Sequence, residues 1–157
     1  MPKIHSIVYQ PKDQHYTKRM DSFIRVPLPK AILIANHGIE GDDKAGRNPN
    51  RQLNLLSIGW LNRMTKKGYN PTPGQFGEQI ILKDLAFITL KSGDKIQLGE
   101  SAIIEITKPR TGCTRLEMVQ RDFLTHTNGM VGLLAKVLVG GEIKIGDQVK
   151  VPEPINS

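Results

Sequence analysis

Apolar residues run along this chain in short segments, and most of these are broken by glycine, proline, asparagine or aspartate. Such punctuation favours strands joined by turns over a helical bundle. It predicts strands over Ile4–Tyr9, Ile24–Val26, Ala31–Ile34, Gln52–Leu56, Gln79–Leu82, Lys95–Leu98, Ala102–Lys108, Met130–Val139, Glu142–Ile145 and Gln148–Val151. Two near-copies of one unit stand out, Ser92-Gly93-Asp94-Lys95-Ile96-Gln97-Leu98 and Ile145-Gly146-Asp147-Gln148-Val149-Lys150-Val151. In each, Gly-Asp makes the turn and the alternation after it makes a half-buried strand. Gly140-Gly141 reads as a tight hairpin and Gly99-Glu100 as another. Many strands in succession with such turns predict a mainly β, barrel-like fold, closed or partly open.

About two short helices interrupt the strands. Ser57 caps the first, which runs from Ile58 to about Lys67, with Ile58, Leu61 and Met64 on one face and Gly68 as terminator. The second runs from Arg115 to about Thr127, with Leu116, Val119 and Phe123 on one stripe, and Asn128-Gly129 ends it.

The 157 residues are expected to form one domain, with a continuous core. With 22 basic against 15 acidic residues, the net charge of +7 favours an anionic partner. The basic residues are scattered singly and in pairs, and aromatic side chains are too few to form stacking platforms, which argues against nucleic acid. One cysteine cannot form an internal disulfide, and Met1-Pro2-Lys3-Ile4-His5 lacks a signal peptide's apolar run, so a cytoplasmic location is expected. No apolar run approaches the ~20 residues of a membrane span.

The one cysteine, Cys113, is the foremost candidate for chemistry. It lies where a predicted strand gives way to a predicted helix, just before Thr114, whose Thr-x-x-Glu spacing to Glu117 suits a capping box. Partial positive charge at a helix start, together with Arg110 and Arg115, favours thiolate over thiol. The competing interpretation is a buried cysteine acting as a small hydrophobe, which two flanking arginines weaken.

Two loops could build a site around it. Gly38 to Arg51 combines glycines, acids and arginines between strands, and Arg47 and Arg51 can grip phosphate by two-pronged hydrogen bonds. Pro73-Gly74-Gln75-Phe76-Gly77-Glu78-Gln79 sets two glycines around an aromatic ring, with an amide able to read a heterocycle's edge. Neither matches a phosphate loop or a dinucleotide loop. His5, His15, His37 and His126 lack zinc-site spacing, and a helix of this length would carry His126 about 18 Å from the Cys113 end.

Taken in order, these segments resemble the MOSC domain, the C-terminal module of molybdenum-cofactor sulfurases that also occurs as small stand-alone proteins. The resemblance covers about residues 20–151. It is carried by Gly38-Ile39-Glu40-Gly41-Asp42, Arg51-Gln52-Leu53-Asn54-Leu55-Leu56-Ser57, Phe76-Gly77-Glu78-Gln79, Gly93-Asp94-Lys95-Ile96, Pro109-Arg110 leading to Cys113, and Val139-Gly140-Gly141-Glu142-Ile143 with Gly146-Asp147. It implies a β-rich barrel with a pocket for the molybdenum cofactor, molybdopterin. Cys113 then matches the cysteine used either as the metal's thiolate ligand or as acceptor of a persulfide sulfur, and a soft, activated thiolate suits both. Asp42, Arg47, Arg51, Phe76, Gly77, Glu78, Gln79, Arg110 and Arg115 are the implied cofactor-binding residues. The chain departs from the family pattern at Gly112, where proline is usual, at Asp43, often basic or histidine, and at Gln79, usually asparagine.

The function this resemblance implies is a cysteine-ligated molybdenum oxidoreductase, catalysing a two-electron reduction or oxygen-atom transfer, such as that of N-hydroxylated compounds. With no iron–sulfur or flavin motif in the chain, it would need a separate electron donor. The first alternative is a sulfur carrier holding a persulfide on Cys113, received from a separate cysteine desulfurase, since no pyridoxal-phosphate site is expected here. The second is a non-enzymatic cofactor-binding module.

Overall fold

A computed structural model of the chain describes residues 1–11, 26–66, 68, 74, 77–111 and 130–151. Eleven strands and one α-helix are formed by the described residues: β1 (Lys3–Tyr9), β2 (Val26–Pro27), β3 (Lys30–Ile34), β4 (Gly38–Ile39), β5 (Leu53–Ser57), α1 (Ile58–Lys66), β6 (Ile80–Lys83), β7 (Lys95–Leu98), β8 (Ala102–Thr111), β9 (Met130–Val139), β10 (Gly141–Lys144) and β11 (Val149–Lys150). A single 3-10 turn, Phe87–Thr89, follows β6. The second predicted helix lies outside the described residues.

Eight strands form one mixed sheet in the order β11-β7-β8-β9-β5-β6-β1-β2, and β10-β3-β4 form a second. The ends of the large sheet curl toward each other. Lys3 on β1 bridges Gln148 beside β11, and Ile4 N–H donates to the Asp147 carbonyl at 2.9 Å. The barrel is thus partial rather than fully closed. Its interior is filled by alternate residues of each strand, among them Ile4, Ile7, Leu53, Leu55, Ile80, Leu82, Ile104, Ile106, Leu133, Ala135 and Val137. Each large aliphatic side chain buried there contributes about 1.5–3 kcal/mol.

β5 and β6 run parallel, so the chain must cross over between them, and α1 is part of that crossover. Ser57 ends the strand and caps the helix, its Oγ accepting from Gly59 N–H at 3.1 Å. Trp60, Leu61 and Met64 then cover Leu56 and Ile81, which point away from the main interior. Arg63 and Lys66 sit in the last turn, where positive charge suits the helix dipole.

The two Gly-Asp units adopt the same structure. Asp94 N–H donates to the Lys91 carbonyl, and Asp94 Oδ2 accepts from Lys91 N–H at 2.9 Å. Asp147 does the same with Lys144, at 2.8 Å for the side-chain bond. Gly93 and Gly146, at φ 95° and 93°, take the left-handed conformation these turns need. Each turn also grips one strand by two backbone bonds, the first through Ile106 and the second through Ile4. The strands that follow, β7 and β11, pair with each other.

Gly140-Gly141 is not a hairpin. β9 pairs with β8 and β5, whereas β10 pairs with β3, so the double glycine is the corner at which the chain leaves one sheet for the other. Backbone packing explains it: a Cβ on Gly140 would lie 2.5 Å from the Leu33 carbonyl oxygen. Gly99-Glu100, by contrast, does lie in the β7–β8 turn, since Leu98 pairs with Ala102.

Two glycines should respond differently to alanine. A Cβ on Gly132 would meet the Leu55 carbonyl oxygen at 2.2 Å, whereas one on Gly146 meets open space and only the left-handed φ is at stake. Urea denaturation should show Gly132→Ala costing about 3 kcal/mol and Gly146→Ala about 1–2 kcal/mol; equal losses would refute the crowding at Gly132.

Candidate functional site

The implied site residues that the structure describes gather at one end of the barrel. Asp42 follows β4 in a compact turn, with its N–H on the Ile39 carbonyl and its own carbonyl accepting from Ala45 N–H. Its side chain is fully buried, at 0% exposure, and a carboxylate buried without partners would be prohibitive. Oδ1 accepts from the N–H groups of Gln10 at 3.1 Å and Lys44 at 3.3 Å, and Oδ2 from Gln79 Nε2 at 3.3 Å. Asp42 therefore pins its loop to the end of β1 and to the approach to β6.

Gln79 occupies the space between β5 and β1. Its backbone N–H donates to the Asn54 carbonyl, its carbonyl accepts from Val8 N–H, and its side-chain Oε1 accepts from Asn54 N–H at 2.8 Å. Asn54 in turn offers Oδ1 to Arg110 Nη1 at 3.0 Å. The result is a buried row, Asp42–Gln79–Asn54–Arg110, running from anion to cation through the Gln79 carboxamide and then the backbone N–H and side-chain Oδ1 of Asn54. Its atoms are fixed in sense: a guanidinium has only donors, a carboxylate only acceptors.

Sheet geometry explains how Arg110 reaches Asn54. β9 separates β8 from β5, and Arg110 is registered with Gly132 on β9. Alternation puts Gly132, Asn54 and Arg110 on the face turned away from the main interior. Arg110 Nη1 thus reaches Asn54 across the middle strand.

Glu78 is also fully buried, and its Oε2 accepts from Gly74 N–H. Gly77 closes the same turn, with its N–H on the Gly74 carbonyl. The loop arginines do not join the row. Arg47 is exposed and folds back on Asp43, with Nη2 at 2.9 Å from Oδ2 and Nε donating to the Asp43 carbonyl at 2.9 Å. Asp43 thus occupies the guanidinium expected to grip phosphate. Arg51 is exposed. Cys113, Phe76 and Arg115 lie outside the described residues, although β8 carries the chain from Arg110 to Thr111, two residues short of Cys113.

Sequence reasoning did not single out Asn54 or Gln52. Gln52 is buried, with Oε1 accepting from Val137 N–H at 2.8 Å and Nε2 donating to the Pro49 carbonyl at 3.2 Å. The available signal was a carboxamide within the apolar run Leu53-Asn54-Leu55-Leu56, which must find partners if buried. A shallow cleft of about 330 Å³ lies nearby, lined by Asn50, Gly93, Glu105, Thr107, Lys108 and Lys136. No member of the row lines it.

The family model of the MOSC domain matches residues 42–150. No curated protein matches the chain. Among solved structures, YiiM from Geobacillus stearothermophilus is similar with a TM-score of 0.71 at 21% identity, covering 98% of this chain and 76% of that one. The YUAD protein from Bacillus subtilis gives 0.71 at 20%, covering 95% and 94%, and YiiM from Escherichia coli 0.65 at 22%, covering 99% and 72%. At these identities the likeness is one of fold. Among the described residues no helix is long and apolar enough to cross a membrane.

If Asp42 organises this end of the barrel, Asp42→Ala, which strands three donors, should cost about 3 kcal/mol or more. Arg47→Ala removes only an exposed ion pair and should cost less than about 1 kcal/mol. Thermal or chemical unfolding compares the two, and a tolerant Asp42 would contradict the assignment.

Proposed function

Because the chain belongs to the MOSC domain family, we propose that it binds the molybdenum cofactor at the end of the barrel organised by Asp42 and serves as a cysteine-ligated oxidoreductase. The observation that carries this reading is the buried row from Asp42 to Arg110. It sets a buried guanidinium three residues before Cys113, on a strand leading toward it.

The donor set suits such a group. Both buried carboxylates accept from backbone N–H groups, so their charge is already engaged within the fold. Arg110 brings a buried positive charge to the same end, which suits an anionic ligand. Among the described residues no three His, Cys, Asp or Glu side chains cluster to hold a bare metal ion. A metal carried by the cofactor's own organic ligand would take the thiolate of Cys113 in addition.

When bound, the cofactor would supply two-electron redox chemistry. The protein's part is to hold it: Arg110 supplies positive charge toward its phosphate, and Cys113 supplies a soft ligand. For an N-hydroxylated substrate, two electrons break the N–O bond, one proton completes water on the departing hydroxyl, and a second proton goes to nitrogen. The electrons come from a separate redox protein.

The test is elemental analysis for molybdenum on protein purified from a cofactor-producing host, beside Cys113→Ser. Near-stoichiometric metal that is lost in the variant is the expected result. Metal absent from both, with cyanide-labile sulfur on the wild type, would replace this reading with sulfur carriage. Equal metal in both would reduce the chain to a cofactor-holding module.

A further inference from the structure

Asn54 is about nine-tenths buried, at 7% exposure, yet only part of its carboxamide is used. Arg110 is a donor alone, so the atom facing it must be Oδ1, and the amide cannot be turned the other way round. Nδ2 and its two hydrogens therefore point away from that bond. Among the described residues they meet no acceptor. A buried donor left without a partner is costly, and native structures retain one chiefly where a ligand or ordered water completes it.

The same is not true of the neighbouring amides. Gln52 uses both ends of its side chain, and Gln79 donates to Asp42 while accepting from Asn54 N–H. The unsatisfied donor lies next to the buried cation, whereas Asp42 is one carboxamide further along the row. An acceptor docking on Nδ2 is thus nearer along the row to the guanidinium than to the carboxylate.

We propose that Asn54 Nδ2, backed by the charge of Arg110, is a binding site for an oxyanion. This takes from the reading above only that this end of the barrel faces an anionic ligand. The oxyanion belongs either to a phosphate of the cofactor or to the substrate, and one experiment separates them.

The full chain, labelled with ¹⁵N and purified free of cofactor, is titrated with inorganic phosphate. The paired resonances of the Asn54 side-chain NH₂, identified by their loss in Asn54→Asp, are followed. They should shift and saturate. Asn54→Asp still accepts from Arg110 but presents no donor, so its backbone spectrum should be preserved while phosphate binding weakens about tenfold to a hundredfold. Resonances that stay fixed, or a variant that binds phosphate like the wild type, would overturn the proposal. Repeating the titration on cofactor-loaded protein assigns the source. An NH₂ pair already displaced and insensitive to phosphate marks the cofactor, and one that still responds marks the substrate. Failure to find molybdenum would sink the cofactor reading without touching this site, because phosphate is the probe.

Discussion

Asp42 carries a charge that the fold has removed from water, and the surrounding structure follows from its need for donors. Three reach it, from the end of β1, from its own loop and from the segment entering β6. Three stretches far apart in sequence are held together by one carboxylate. Gln79 passes the constraint to Asn54, and Asn54 fixes one edge of Arg110. Because each link has a defined donor and acceptor, the guanidinium is held in position rather than merely nearby. Such preorganisation is what a site for a charged ligand requires.

The strands were legible because period-two alternation and glycine punctuation both speak to local structure. β7 and β9 have the predicted bounds, and most others differ by a residue or two. The short β4 and the 3-10 turn at Phe87 were missed, being too brief to show a period. Gly140-Gly141 misled for a physical reason: a glycine pair looks alike whether it turns the chain back or lets it pass another backbone closely. Only the partners of β10 distinguish the two.

At the site, sequence motifs pointed to the loops that bear on one another, but not to what each residue does there. Asp42 and Glu78 were grouped with cofactor-binding residues, and the structure shows both accepting from backbone N–H groups. Arg47 was expected to grip phosphate, and its pairing with Asp43, one turn of chain away, was readable only as a spacing of four. Asn54 looked like an ordinary strand residue because its partner Arg110 is 56 positions further on. Long-range polar pairing leaves no periodic trace.

The bridge between Lys3 and Gln148 has a temporal meaning as well as a spatial one. The seam of the partial barrel joins β1 to a segment made some 145 residues later. Until the second Gly-Asp turn has emerged, β1 has no partner on that side, and Ile4 cannot receive its two backbone bonds. Non-local pairing of this kind is slow because the loop entropy must be overcome before contacts form. A ribosome-bound chain would therefore hold an unfinished barrel, with β1 exposed along one edge, until the second Gly-Asp turn is made.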